Sequence, residues 1–161
     1  MAKEQSKITA ISDECLKLIQ NYEGLKLEAY QDSVKVWTIG IGTTTYPNGA
    51  KVKKGDKITK LQAWDFLWYD LATFMKGVDT YTTDAITQGQ YDALVSFSYN
   101  LGLNSLKTST LLKKVNNNPQ DPTIQDEFLK WKFAGGEALA GLLKRRKSEA
   151  YLYFNEVYKK F

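Results

Sequence analysis

Tyr22-Glu23-Gly24-Leu-Lys26-Leu-Glu-Ala-Tyr30-Gln-Asp32-Ser33-Val-Lys35-Val36-Trp37-Thr38-Ile39-Gly40-Ile41-Gly-Thr43 is the stretch from which the rest of the chain is understood. Upstream of it, Ser12 can cap a helix whose apolar face is Cys15, Leu16, Ile19 and Tyr22, and Gly24 supplies a left-handed stop. Glu23 therefore falls in a last helical turn. Negative charge is disfavoured there by the helix dipole, and a carboxyl that keeps its proton at neutral pH is a usable general acid. Lys26 to Tyr30 then runs extended, Asp32-Ser33 turns, and Val36 to Ile41 alternates. That alternation sets Val36, Thr38 and Gly40 on one face and Trp37, Ile39 and Ile41 on the other, so Thr38 is expected to face away from the apolar side. Two carboxylates, Glu23 and Asp32, and one hydroxyl, Thr38, are thus gathered around a tight turn. The plainer alternative is a helix, a hairpin and an incidental Glu.

Composition narrows the chemistry. The chain has 161 residues, which fits one domain or two small lobes around a long connector, and 43% of them are hydrophobic, enough for a real core. It has no histidine. Ser-His-Asp, Cys-His and His-ligated zinc mechanisms are thereby excluded, and carboxylate chemistry remains. For a cell-wall lytic protein this would argue against a zinc amidase or a Cys/His amidase-endopeptidase and favour cleavage of the glycan strand by acidic residues. The lone cysteine, Cys15, cannot form an intramolecular disulfide and is expected to be a small buried residue. Residues 1–7, Met-Ala-Lys-Glu-Gln-Ser-Lys, lack the apolar core of a signal peptide, and no run of about 18 apolar residues occurs, so no stable membrane insertion is expected. The protein is expected to accumulate in the cytoplasm that makes it. A net charge of +4 suits encounter with an anionic cell envelope. With no basic stripe and no DNA-binding motif, nucleic acid is not an expected partner.

Downstream, Tyr46-Pro47-Asn48-Gly49 marks a turn, and residues 50 to 56 suggest a short third strand and exit loop. Thr59 with Gln62 makes a capping box for a long helix to about Asp79, with Leu61, Trp64, Leu67, Trp68, Leu71 and Met75 at helical spacing. Core packing is the preferred role for its aromatics, over contact with substrate. Thr87 and Gln90 open a second capped helix carrying Tyr91, Leu94, Val95 and Ser98 on one face, ended by Asn100-Leu-Gly102. A short helix over residues 109–115, another from Asp121-Pro122 to about Phe133, and a last one beyond Gly135-Gly136 complete a helical lobe. Gly135-Gly136 either lets backbone approach a sugar or ends a helix, and the helix end is the reading preferred. The only two arginines beside 20 lysines are Arg145 and Arg146. One of them faces Glu23 or a cleft, or both serve a structural pair with Glu149.

Glu-Gly-Leu, Ala-Tyr-x-Asp and Trp-Thr-Ile-Gly-Ile-Gly at these spacings closely resemble the phage-type lysozymes, the endolysins of tailed bacteriophages. The likeness extends through Lys51-Val to Thr59, Gln90 to Gly102, Ser109-Thr-Leu-Leu, and Gly135-Gly136 to Arg146 with Glu149. It implies an α+β, lysozyme-like fold in a single domain. A sheet lobe of residues 24–58 would face a helical lobe of 80–161 plus 12–23, with the helix of 59–79 joining them and closing the cleft. It also implies Glu23 as general acid, Asp32 as the residue that holds or deprotonates water, and Thr38 as the group that orients that water. The implied activity is hydrolysis of the β-1,4 bond between N-acetylmuramic acid and N-acetylglucosamine in a peptidoglycan glycan strand. A monomer would act without metal or cofactor, in the periplasm, after release through the lesion of a separate holin, and would end a phage cycle by host lysis. Lys35 stands where the family commonly has Gly, and Thr43 where Gly-His commonly follows the second strand. Lys35 would then need a backbone conformation natural to glycine, and Thr43 would remove a polar partner. A lytic transglycosylase, which needs no water-holding Asp, and a wall-binding module without turnover are the two alternatives. Asp32 and Thr38 argue against the first, and intact Glu23, Asp32 and Thr38 against the second.

Overall fold

The computed structural model describes residues 8–83 and 86–161; residues 1–7, on which the leader reading rests, lie outside them. The chain forms two compact units, Ile19–Thr73 and a second made of Phe74–Phe161 with the N-terminal stretch to Leu18.

In the first unit, the end of α1 (Asp13–Glu23) leads into β1 (Lys26–Gln31) and β2 (Trp37–Gly40). The strands pair antiparallel with Lys26 opposite Gly40, Tyr30 opposite Thr38 and Gln31 opposite Trp37, and the register slips between Lys26 and Tyr30. The third strand expected at residues 50–56 is absent as an element. Pairing there is reduced to single bridges, Thr45 with Lys51 and Glu28 with Lys57, because the Lys53–Asp56 turn, closed by the Asp56 amide on the Lys53 carbonyl, interrupts it. Ile39, Ile41, Val52, Ala63, Leu67 and Leu71 are buried. Gly40 sits at φ 67°, and a Cβ there would meet Ala63 and Ile58 at 3.4 Å.

The long helix, α2 (Lys60–Tyr81), starts as expected: the Thr59 amide donates to Gln62 Oε1 (2.9 Å) and the Gln62 amide to Thr59 Oγ1 (3.1 Å). Its expected apolar stripe needs correction. Leu61 is 71% exposed and Trp68 40%, while the fully buried positions are Ala63, Leu67, Leu71 and Val78. Core packing therefore does not account for Trp68 or for Tyr69, which is exposed as well.

The second unit is helical. α3 (Gln88–Leu101) opens on the Thr87/Gln90 capping box and is buried continuously from Gly89 to Ser98, so it is wrapped on all sides rather than on one face. A Cβ on Gly89 would stand 2.5 Å from the Leu152 carbonyl, which fixes glycine where α3 meets the last helix. α4 (Leu103–Thr108), unforeseen from sequence, precedes α5 (Thr110–Asn117), whose first turn Ser109 caps. α6 spans only Ile124–Leu129, not the run to Phe133 expected. The difference goes to a two-residue hairpin, β3 (Phe133–Ala134) with β4 (Glu137–Ala138). Gly135 and Gly136, at φ 59° and 83°, form its turn and do not end a helix. α7 (Ala140–Asn155) closes the chain.

Two polar clusters stitch this unit together. Asp92, almost wholly buried on α3, accepts the Ser12 amide (3.0 Å), the Ser12 hydroxyl and the Gln88 side-chain amide (2.8 Å). Burial pushes its carboxyl up, against these bonds, which pull it down. Cys15 is fully buried and its thiol donates to the Asp92 carbonyl (3.4 Å). On α7, Glu149 takes Arg146 Nε at 2.5 Å, Arg145 Nε at 3.6 Å and the Ser96 hydroxyl at 2.7 Å, with all three charged groups buried. Arg146 also reaches Asn100 Oδ1 (2.9 Å) and lies over the Phe97 ring. Of the two readings of the arginine pair, the structure shows the Glu149 partnership.

Candidate active site

Glu23 is the last residue of α1. Gly24 takes φ 74° and its amide closes on the Gln20 carbonyl (2.9 Å), so the helix stops and the chain turns into β1. Glu23 itself is half-buried.

Asp32 follows β1 and organises the next turn with both backbone and side chain. Its amide donates to the Val36 carbonyl (3.0 Å) and its carbonyl accepts from Lys35 (3.0 Å). Its Oδ1 accepts the amides of Val34 (2.9 Å) and Val36 (2.8 Å), which fixes the carboxylate relative to the strand. Lys35 closes the loop at φ 62°, the left-handed conformation expected for a residue at a glycine's place.

Thr38 lies on β2 and donates its hydroxyl proton to the Val36 carbonyl (3.0 Å). It is 4% exposed, so pointing opposite to Ile39 and Ile41 does not leave it open to solvent: β2 is covered on both faces here. Directly across the sheet stands Tyr30. Its hydroxyl is pushed up first by burial and then by the negative charges of Glu23 and Asp32, so this phenol shares one electrostatic neighbourhood with both carboxylates. Tyr30 was quoted in the Ala-Tyr-x-Asp motif but given no role. Its signal was position, two residues before Asp32 and hence on the same side of the strand.

Behind β2, Thr43 is fully buried; its amide and carbonyl pair with Ile39 (2.9 and 2.8 Å), and its hydroxyl donates to Asp70 Oδ2 on α2 (3.2 Å). Partial burial pushes the Asp70 carboxyl up, and the Thr43 bond opposes this. Thr43 thus supplies a polar contact of its own, a neutral one, to a residue 27 positions away.

A two-stranded hairpin carrying Asp32 and Thr38 after a helix ending at Glu23, with a separate bundle built on a buried central helix, defines an α+β lysozyme-like protein. Residues 20–149 match the phage lysozyme family. The chain is 42% identical over 147 residues to the endolysin of Acyrthosiphon pisum secondary endosymbiont phage 1, covering 89% of this chain and 97% of that one. It is 41% identical over 145 residues to the endolysin of Bacillus phage B103, covering 89% of this chain and 53% of the other, so it spans about half the length of that relative. Among solved structures, the endolysin from Escherichia coli O157:H7 phage FAHEc1 superposes with a TM-score of 0.87 at 36% identity, covering 94% of this chain and 97% of that one. The chain belongs to the phage lysozyme family, a family of hydrolases, and the fold implied by its motifs is the fold found.

Proposed function

We propose that the chain is an endolysin that hydrolyses the β-1,4 bond between N-acetylmuramic acid and N-acetylglucosamine in peptidoglycan, with inversion at the anomeric carbon, to lyse a phage's host. The observation that carries this reading is that the Asp32 carboxylate and the Thr38 hydroxyl are anchored on one residue, Val36. The Thr38 proton is engaged by the Val36 carbonyl, so toward a water molecule this hydroxyl acts as an acceptor. The hydrogen bonds to the Asp32 side chain fall on Oδ1, and Oδ2 is the second acceptor. Two acceptors take both hydrogens of one water and leave its oxygen lone pair directed outward, as attack on an anomeric carbon requires. Asp32 then receives the proton as base, while Glu23 protonates the departing glycosidic oxygen. Inversion of this kind calls for carboxyl groups roughly 6.5–9.5 Å apart, and a covalent sugar on Asp32 for about 5–5.5 Å.

The reaction needs no cofactor, since acid, base and water complete it. In this reading the enzyme accumulates in the cytoplasm and acts in the periplasm after a separate holin opens the inner membrane; no described helix is long and apolar enough to cross a membrane. The enzyme acts as a monomer in this reading.

Digestion of purified walls tests it. Mass spectrometry should find reducing ends, and proton NMR should find the α-anomer first. Anhydro ends would make the protein a transglycosylase, an initial β-anomer would overturn the water-holding role of Asp32 and Thr38, and intact walls would leave only a binding module. Glu23→Gln should fold normally and lose about 10²- to 10⁴-fold in rate; a folded variant retaining a tenth of the activity would remove Glu23 from the mechanism.

A further inference from the structure

Toward an attacking water, Asp32 and Thr38 supply acceptors only. The amides of Val34 and Val36 take Asp32 Oδ1, and the Val36 carbonyl takes the Thr38 proton, so what both groups have left to offer is lone pairs. A water molecule whose two hydrogens are accepted still carries two lone pairs of its own. One attacks carbon; the other is fixed only if a donor meets it.

Tyr30 is placed to be that donor. It stands directly across the sheet from Thr38, and opposite residues of an antiparallel pair project to the same face with Cβ atoms about 4.5–5.5 Å apart. Asp32, two residues on, continues on that side of the strand. Gln31 and Trp37 form the next pair and project to the other face, where Gln31 donates its side-chain amide to the Lys35 carbonyl (3.3 Å). Glu23, Tyr30, Asp32 and Thr38 all belong to the unit Ile19–Thr73.

The state of the phenol suits the task. Tyr30 is half-buried, and its hydroxyl has no hydrogen-bond partner among the described residues. Burial first, and then the charges of Glu23 and Asp32, push it up, so it keeps its proton and stays a donor over the range in which carboxylates work. Thr38 is nearly closed to solvent, and the large side chain across from it on the same face is the Tyr30 ring.

We propose that Tyr30 is a positioning residue for the attacking water: its hydroxyl donates to the lone pair that does not attack, and its ring closes the site to a larger nucleophile. The inference rests on the proposed direct displacement by water. In that step the water oxygen bonds to the anomeric carbon as the glycosidic C–O bond breaks, Asp32 receives a water proton, and Glu23 gives its own to the leaving oxygen. Tyr30 keeps its proton throughout, so it acts on the geometry of the step and not on its proton balance.

Cleavage of soluble glycan oligomers in aqueous methanol tests this, because methanol competes with water for the same position and yields a methyl glycoside. The unaltered protein is expected to give reducing ends almost alone. Tyr30→Phe keeps the ring and drops the donor; it should lower kcat by about tenfold at unchanged KM and still exclude methanol. Tyr30→Ala removes the wall as well, and the share of methyl glycoside should rise by about tenfold or more. Tyr30→Val, smaller than the ring and a good strand former, takes its place if the alanine variant fails to fold. A folded Tyr30→Phe with the parent kcat, or a folded small variant with the parent partition between water and methanol, would overturn the proposal, the second because a purely structural role moves the melting temperature and not the partition. Products of α configuration in those same digests would leave the direct-water reading standing. A methyl glycoside of β configuration would instead overturn that reading, and the role of Tyr30 with it.

Discussion

Asp32 and Thr38 are bonded to opposite ends of the same residue: the Val36 amide donates to the Asp32 carboxylate at 2.8 Å, and the Val36 carbonyl accepts the Thr38 hydroxyl at 3.0 Å. The distance between the two functional groups is therefore governed by one short piece of backbone and not by the packing of distant elements. A hairpin of this kind can be rebuilt around Val36 with different side chains outside it and keep its geometry.

Thr38→Ser keeps both the donor to Val36 and the lone pairs offered to water, and is expected to retain most of the activity. Thr38→Val is nearly isosteric but removes the acceptor and leaves the Val36 carbonyl with the Asp32 amide alone. It should lower kcat by roughly 10- to 100-fold, the value of one hydrogen bond to a developing charge. Parallel losses in Ser and Val would show that the methyl packing, and not the hydroxyl, is what matters.

Lys35 at φ 62° bears a conformation that disfavours a Cβ. Lys35→Gly removes that strain and adds unfolded-state entropy, for a net gain of up to about 1 kcal/mol. Thermal unfolding should move up by about 2–4 °C for a protein of this size. A drop instead would mean that the lysine side chain itself stabilises the hairpin.

Glu149 neutralises two buried guanidinium groups. Glu149→Ala leaves both charges without their carboxylate in the interior and should cost about 3–5 kcal/mol, measurable by urea unfolding. Replacing Glu149 together with both arginines by apolar residues of similar volume should cost much less than the single change, because no orphaned charge remains.

Glu127 gives the acid limb of the stability profile. Burial alone would push its carboxyl up, but Lys130 (2.8 Å) and Lys114 (2.9 Å) outweigh that and hold it below the usual range. A carboxyl depressed in the folded state stabilises above its unfolded pKa, and that contribution fades as pH falls through the folded value. Glu127→Gln should therefore lower stability at pH 7 by on the order of 1–2 kcal/mol and flatten the decline between about pH 5 and pH 3. An unchanged acid limb would show that the two lysines hold α6 by packing alone.

What could be understood from sequence followed the range of the interaction. The capping boxes at Thr59/Gln62 and Thr87/Gln90 form where expected because three-residue chemistry decides them. The left-handed stop at Gly24 and the demand on Lys35 were legible for the same reason. Strands of two residues around Gly135-Gly136 offer no period, so a hairpin there looked like a helix end. On α2 a hydropathy stripe selected Leu61 and Trp68, whereas burial fell on the small Ala63 and on Val78, since the helix runs through two units and need not present one face throughout. Thr43 with Asp70, and Ser12 with Asp92, join positions 27 and 80 residues apart, and no local pattern announces either bond.

The contact between Ser12 and Asp92 also orders events in time. The helical unit begins with the residues up to Leu18, is interrupted by the whole of Ile19–Thr73, and resumes at Phe74. As the chain leaves the ribosome, the sheet unit is complete in sequence before α3 exists, while the first turns of α1 wait for Asp92 and for Tyr158, whose amide donates to Glu14 across 144 residues at 2.7 Å. Glu23, at the other end of α1, falls in the sheet unit, so this one helix is divided between a part of the chain that can fold early and a part that waits for residues made much later.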